Sequence, residues 1–166
     1  MNSAQLPQLS DQEISDCLIQ AGGSARRRHP KILHKKGDEF NQVVNFIMHD
    51  SYMQPHLHPG VEKIERIYLI RGKVAALFFD EQGAVNACTV LEVGGNTLIE
   101  VPAFTWHTYV MLSEYAITYE TMMGVYEPST WKQYADWAPA ENSLEGRAYL
   151  DALKATIKSN PDGVMP

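Results

Sequence analysis

The stretch Gln54-Pro55-His56-Leu57-His58-Pro59, read with Glu65, Gly72 and the later Pro102-Ala103-Phe104-Thr105-Trp106-His107, decides the reading of this chain. Alternate residues of a β-strand project to one face, so His56 and His58 stand side by side, and later strands can bring Glu65 and His107 against them. Imidazole suits Fe, Zn, Ni and their neighbours, and a single carboxylate neutralises part of a divalent charge. Three histidines and one glutamate would hold such an ion and leave coordination positions for water or substrate.

The flanking sequence supplies a fold for these residues. From Asn41 to Met123 short β-rich runs succeed one another: Val43 to His49, Tyr52 to Leu57, Ile64 to Arg71, Val74 to Asp80, Val85 to Val93, Thr97 to Val101, Trp106 to Leu112 and Tyr115 to Met122. Turn signals such as Pro59-Gly60, Arg71-Gly72 and Gly94-Gly95 separate them, a spacing that predicts a sandwich or barrel rather than alternating strands and helices. Ahead of them Ser10-Asp11-Gln12-Glu13 has the form of a capping box for a short helix ending at Gly22-Gly23. Ser24 to Lys36 reads as a basic loop or arm. After Gly124 the chain is irregular, then Ser143 to Lys158 predicts an amphipathic helix carrying Leu144, Leu150, Leu153 and Ile157, before a disordered tail around residues 160–163. The divisions expected are 1–36 for helix and arm, 37–124 for the barrel and 125–166 for the irregular segment and final helix, within one structural domain.

These motifs resemble the two of the cupin superfamily: an HxH pair with a Glu six residues short of a Gly, and a Pro followed five residues later by a His. The likeness extends to the WbuC family of cupin-fold metalloproteins, through Arg26-Arg27-Arg28-His29, Tyr68-Leu69-Ile70-Arg71-Gly72, Tyr126-Glu127-Pro128 and Tyr134-Ala135-Asp136-Trp137-Ala138-Pro139. The resemblance implies an all-β fold, a cupin double-stranded β-helix or jelly roll with short terminal helices. It also implies a link to polysaccharide genes, without a settled reaction. Three departures stand out. The interval between His58 and Glu65 is long, and Glu62 lies where a count from the HxH pair would put the carboxylate; Glu65 is favoured because Gly72 fixes its register. Phe104 replaces the usual Gly, so the turn before His107 is expected to do without a positive φ. Met111 stands where an Asn often follows the last His.

Strand parity would place Tyr52 and Gln54 beside His56, Ile67 and Leu69 beside Glu65, and Thr105, Tyr109 and Met111 beside His107. Arg26, Arg27 and Arg28 could fold over the barrel mouth and grip an anionic substrate. The expected substrate-binding set is therefore Arg26, Arg27, Arg28, Gln54 and Tyr52, with Tyr109 or Glu62 moving a proton and His56, His58, Glu65 and His107 holding one divalent transition metal (Fe, Zn, Mn or Ni). An isomerase or epimerase of carbohydrate metabolism fits this set. An Fe(II)-dependent dioxygenase and a non-catalytic, metal-dependent sugar-binding or regulatory cupin are the alternatives.

Composition narrows the partners. A net charge of -6 offers no general attraction for nucleic acid or an anionic membrane, and the longest apolar run, Val74 to Phe79, is too short to cross a bilayer. The start lacks the pattern of a secretory signal, so a cytoplasmic protein with a small-molecule substrate, a sugar or an anion, is expected. Cys17 and Cys88 are expected to be reduced and largely buried. Ile64, Tyr68 and Ile70 form an outward apolar face needing cover from the termini or a second subunit, and a homodimer is expected.

Overall fold

The computed structural model describes residues 5–160. The capping box forms as the sequence predicts: the Ser10 hydroxyl accepts from the Glu13 N–H, and the Glu13 carboxylate accepts from the Ser10 N–H at 2.9 Å, opening helix α1 (Asp11–Gly23). Then come β1 (Arg28–Ile32), β2 (Phe40–Met48), β3 (His56–Leu57), β4 (Glu65–Arg71), β5 (Lys73–Phe79), β6 (Val85–Glu92), β7 (Leu98–Val101), β8 (His107–Met111), β9 (Tyr115–Met123) and β10 (Gln133–Tyr134). Helix α2 (Leu144–Ser159) closes the described chain. The strands pair antiparallel in two five-stranded sheets, ordered β1-β2-β9-β4-β7 and β10-β3-β8-β5-β6. This is the jelly roll of a cupin, all-β with a helix at each end.

Between the sheets lie Ile47, Ile67, Leu69, Val74, Val101 and Met111. Ile14, Cys17 and Ala21 of α1 pack on the outer face of the first sheet against Val44, Phe46, Ile117 and Tyr119, with Tyr68 and Ile70 partly buried beside them. The apolar face that called for a cover thus receives one from within the chain. Leu150, Leu153 and Ile157 of α2 do the same for the second sheet, over Leu57, Leu77 and Phe79. Both cysteines are free, Cys17 buried in α1 and Cys88 partly buried in β6.

Several expectations need correcting. The basic arm contains a strand: β1 pairs with β2 from Arg28 opposite Ile47 to Ile32 opposite Val43. Its proline and its charges, foreign to a central strand, belong at a sheet edge, where one side of the backbone carries no ladder. The 36/37 division therefore separates two paired strands. The run Tyr52 to Leu57 is strand only at its last two residues, because Pro55 has no N–H to extend the ladder. Leu144 is exposed at the first turn of α2 rather than on its buried face. The tail expected beyond Asn160 lies outside the described residues.

The turn before His107 also differs, for Phe104 does adopt a left-handed conformation, at φ 60°. A bulky side chain there is strained, and at 55% exposure it loses little contact if removed. Phe104→Gly is expected to stabilise the fold by about 1 kcal/mol, read as a higher urea midpoint; a lower midpoint would mean that the ring contributes packing worth more than the strain.

Candidate metal centre

β3, β4 and β8 assemble the site. His56 lies opposite His107 in the β3–β8 pair, Leu57 turns outward to the α2 side, and Glu65 heads β4 opposite Val101. His56, His58, Glu65 and His107 are all buried. Each imidazole donates its Nδ1–H to a backbone carbonyl: His56 to Gln54 at 3.0 Å, His58 to Trp131 at 2.8 Å and His107 to Thr105 at 2.8 Å. A carbonyl only accepts, so each Nδ1 carries a proton, and wherever the ring is neutral its Nε2 presents a lone pair. The three rings converge, with candidate ligand atoms all within 4.8 Å of one another.

Among the described residues, His56 Nε2 and His58 Nε2 are buried without any hydrogen-bond partner. Buried polar atoms are rarely left so, and backbone-anchored imidazoles with bare Nε2 atoms match the way metal-ligating histidines are oriented. Glu65 Oε2 stands 3.0 Å from His107 Nε2 and 3.8 Å from His58 Nε2. A lone pair facing a carboxylate needs a positive charge between them, a second proton on His107 or a cation. Burial would raise the Glu65 carboxyl, but the hydrogen bond and charge of His107, with His58 and Lys132 near by, hold it well below the ordinary range. Burial likewise drives His56 far below its usual value, with Lys132 adding to the effect, and lowers His58 to about 4. Both rings are therefore neutral, the form that binds metal. The donor set fits a divalent transition ion.

Tyr109 donates its hydroxyl to Glu65 Oε2 at 2.7 Å, and burial together with the Glu65 charge pushes its phenol well above the ordinary value. It holds its proton and fixes Glu65. Glu62, by contrast, is exposed in the turn after Gly60, its carboxylate beside the backbone of Gly60 and Gly124, and does not line the inner cavity. The carboxylate that does face the cavity is Glu120 of β9, held by Asn45 Nδ2 at 3.0 Å and lining the inner cavity beside Glu65. Burial first, and the Glu65 charge second, raise it to about 8.

An inner cavity of about 60 Å³ adjoins His56 and Glu65, walled by Ile47, Met53, Ile67, Val74 and Met111. An outer vestibule of about 400 Å³ is rimmed by Tyr126, Trp131 and Tyr134. Arg28, Asn45, Glu120 and Lys132 line both and form the neck between them. Glu120 and Lys132 escaped the sequence reading, although the parity of β9 puts Thr118 and Glu120 on its inward face, and a carboxylate there was a readable signal.

The substrate-binding set divides. Arg28 reaches the neck, but its Nη2 is paired with Glu141 at 2.6 Å, and Arg26 Nε takes the other Glu141 oxygen at 2.9 Å. Arg27, left-handed at φ 57°, turns away from the neck to Asp50 at 2.9 Å. Gln54 donates to the Ala135 carbonyl at 3.0 Å, and the Tyr52 hydroxyl donates to Pro139 at 2.8 Å; neither lines the inner cavity. Strand parity fails for them because the chain is not yet a strand. Tyr109, Ile67 and Met111 do line it, as parity predicts.

Residues 9–91, half of the chain, match the family described as Domain of unknown function (DUF6016). The chain belongs to this family. No curated protein matches this DUF6016 chain. Solved structures similar in fold include CapF with the inhibitor 3-isopropenyl-tropolone, 13% identical over 64% of this chain and 34% of that one, with a TM-score of 0.51. A structure reported with the DMSP lyases RdDddP and RnDddQII is 15% identical over 66% of this chain and 53% of that one, at 0.50. The Schizosaccharomyces pombe Cnp3 cupin domain is 14% identical over 59% and 65%, at 0.46. Among the described residues no helix is long and apolar enough to cross a membrane.

Proposed function

We propose that the chain is a divalent-metal cupin enzyme of small-molecule metabolism, of the isomerase or epimerase type, acting on a sugar or an organic anion. One observation carries the reading: three buried imidazoles spend their Nδ1–H groups on backbone carbonyls and turn Nε2 to a common point beside Glu65. The resemblance to WbuC cupins supports a carbohydrate-linked role. His56, His58, Glu65 and His107 would hold the ion, which when bound supplies Lewis acidity toward a substrate carbonyl or hydroxyl oxygen.

The chain's own groups do the rest. Tyr109 keeps Glu65 in place through its short hydrogen bond. Glu120, at the neck and lining the inner cavity with Glu65, is the group placed to remove a proton from a substrate carbon and return it. Glu65, as a ligand of a divalent ion, would no longer hold Glu120 up with its full charge, which would leave Glu120 more readily ionised to act as a base. The small inner cavity admits only the reacting end of a substrate, while the aromatic rim of the vestibule offers apolar faces to a sugar ring.

Glu120→Gln tests the assignment. The variant should retain metal but lose about 100-fold or more of the rate of deuterium exchange from D2O into a panel of 2-oxo acids and ketoses, followed by NMR. Exchange unaffected by the substitution would remove Glu120 from the chemistry. A wild type that binds members of the panel and exchanges none would favour the non-catalytic reading.

A further inference from the structure

Lys132 stands at the neck, on the segment leading into β10, and lines both the inner cavity and the vestibule. Among the described residues its ammonium has no hydrogen-bond acceptor and no carboxylate within ion-pair distance. The other cations near the opening are committed: Arg26 and Arg28 to Glu141, Arg27 to Asp50, and Lys63 to the Thr130 carbonyl at 2.9 Å. A half-buried lysine that lines the cavity, its ammonium without an acceptor, is poised for one that arrives with a ligand.

Charge counting points the same way. Three neutral imidazoles and Glu65 around a divalent ion leave one positive charge, and Lys132 adds a second. Arg26 and Arg28 against Glu141 leave a third. Glu120, even when ionised, cancels only one. An enclosed neck with net positive charge favours an anion. Its size and valence follow from the walls: the inner cavity of about 60 Å³ admits a fragment of a few atoms, and Glu65 and Glu120 oppose a dianion. Phosphate is further disfavoured because the guanidinium forks that would grip it are already filled by Glu141.

We infer that the site takes a small organic monocarboxylate, seated with its carboxylate on the Lys132 ammonium at the neck and its reactive carbon in the inner cavity. The inference rests on the metal-centre reading. It also moves the anion contact from the arm arginines to Lys132, leaving Arg26 and Arg28 as a clasp on Glu141.

The test is calorimetric titration of propanoate, propanamide and inorganic phosphate into Zn2+-loaded wild type, Lys132→Met and Lys132→Arg, with zinc stoichiometry and circular dichroism measured on each sample. Wild type should bind propanoate in preference to propanamide and phosphate. Lys132→Met should weaken propanoate by about tenfold or more, the value of one charge-assisted hydrogen bond, and Lys132→Arg should recover part of it, with zinc content unchanged. Equal propanoate affinity in wild type and Lys132→Met, no propanoate binding by the zinc-loaded wild type, or preferred binding of phosphate would each overturn the inference and leave the metal centre standing. A folded wild type that takes no zinc would refute both.

Discussion

Saturating the stripped protein with Zn2+ is expected to raise its unfolding free energy by about 4 kcal/mol at a free-ion concentration a thousandfold above Kd. A chelator should reverse the gain, and His58→Ala should abolish it. The reason is the cost already built into the fold, two buried Nε2 lone pairs without partners and a carboxylate facing a third. The stripped protein should also be acid-sensitive in a defined window. His58 is lowered from 6.5 to about 4, chiefly by burial, so below 6.5 the unfolded chain takes up a proton that the folded chain refuses. Stability is therefore unaffected by this group above 6.5 and falls as pH drops from there to about 4, by up to about 3 kcal/mol. Metal binds the folded chain, whose His58 stays unprotonated down to about 4, so the loaded and stripped stability curves should fall together across that window and converge only below it. Urea titrations with and without Zn2+ between pH 7.5 and 4.5 check this. Superimposed curves at pH 7.5 would contradict it.

The second large effect belongs to the clasp. Arg28 and Glu141 have side chains only 11% and 16% exposed, and Arg28 also donates to Ser51 Oγ and the Tyr52 carbonyl at 3.2 Å, tying β1 to the segment before β3 and to the approach of α2. Burial pulls the Arg28 guanidinium down and would raise the Glu141 carboxyl, but Arg28 and Arg26 together hold Glu141 below its ordinary value. Arg28→Met leaves that carboxylate with the half-exposed Arg26 alone and is expected to cost about 3 kcal/mol. Removing both charges in Arg28→Met/Glu141→Leu should recover most of the loss, since no uncompensated buried charge remains. Chemical denaturation of the two variants reads the result; a loss below about 1 kcal/mol in the single variant would show that the pair is screened by solvent.

The candidate cluster of His56, His58, Glu65 and His107 was legible because HxH parity, the Glu65–Gly72 interval and the Pro102–His107 interval are all local and lie on strands or at their ends. Tyr52 and Gln54 were misplaced because parity was carried back across Pro55, where the ladder had not begun. The arginines were visible but their partner was not: Glu141 lies more than a hundred residues away, and only the tertiary structure reveals that it occupies Arg26 and Arg28. Lys132 carries no motif, and its place at the neck follows from the pairing of β10 with β3, a two-residue match that no periodicity announces.

The most direct test is elemental analysis of the purified protein beside His58→Ala. The account predicts close to one equivalent of a divalent transition metal per wild-type chain, Fe, Zn, Mn or Ni, and little or none in the variant. A wild-type protein that is folded, yet holds no metal as purified or after reconstitution with each of these ions, would contradict it.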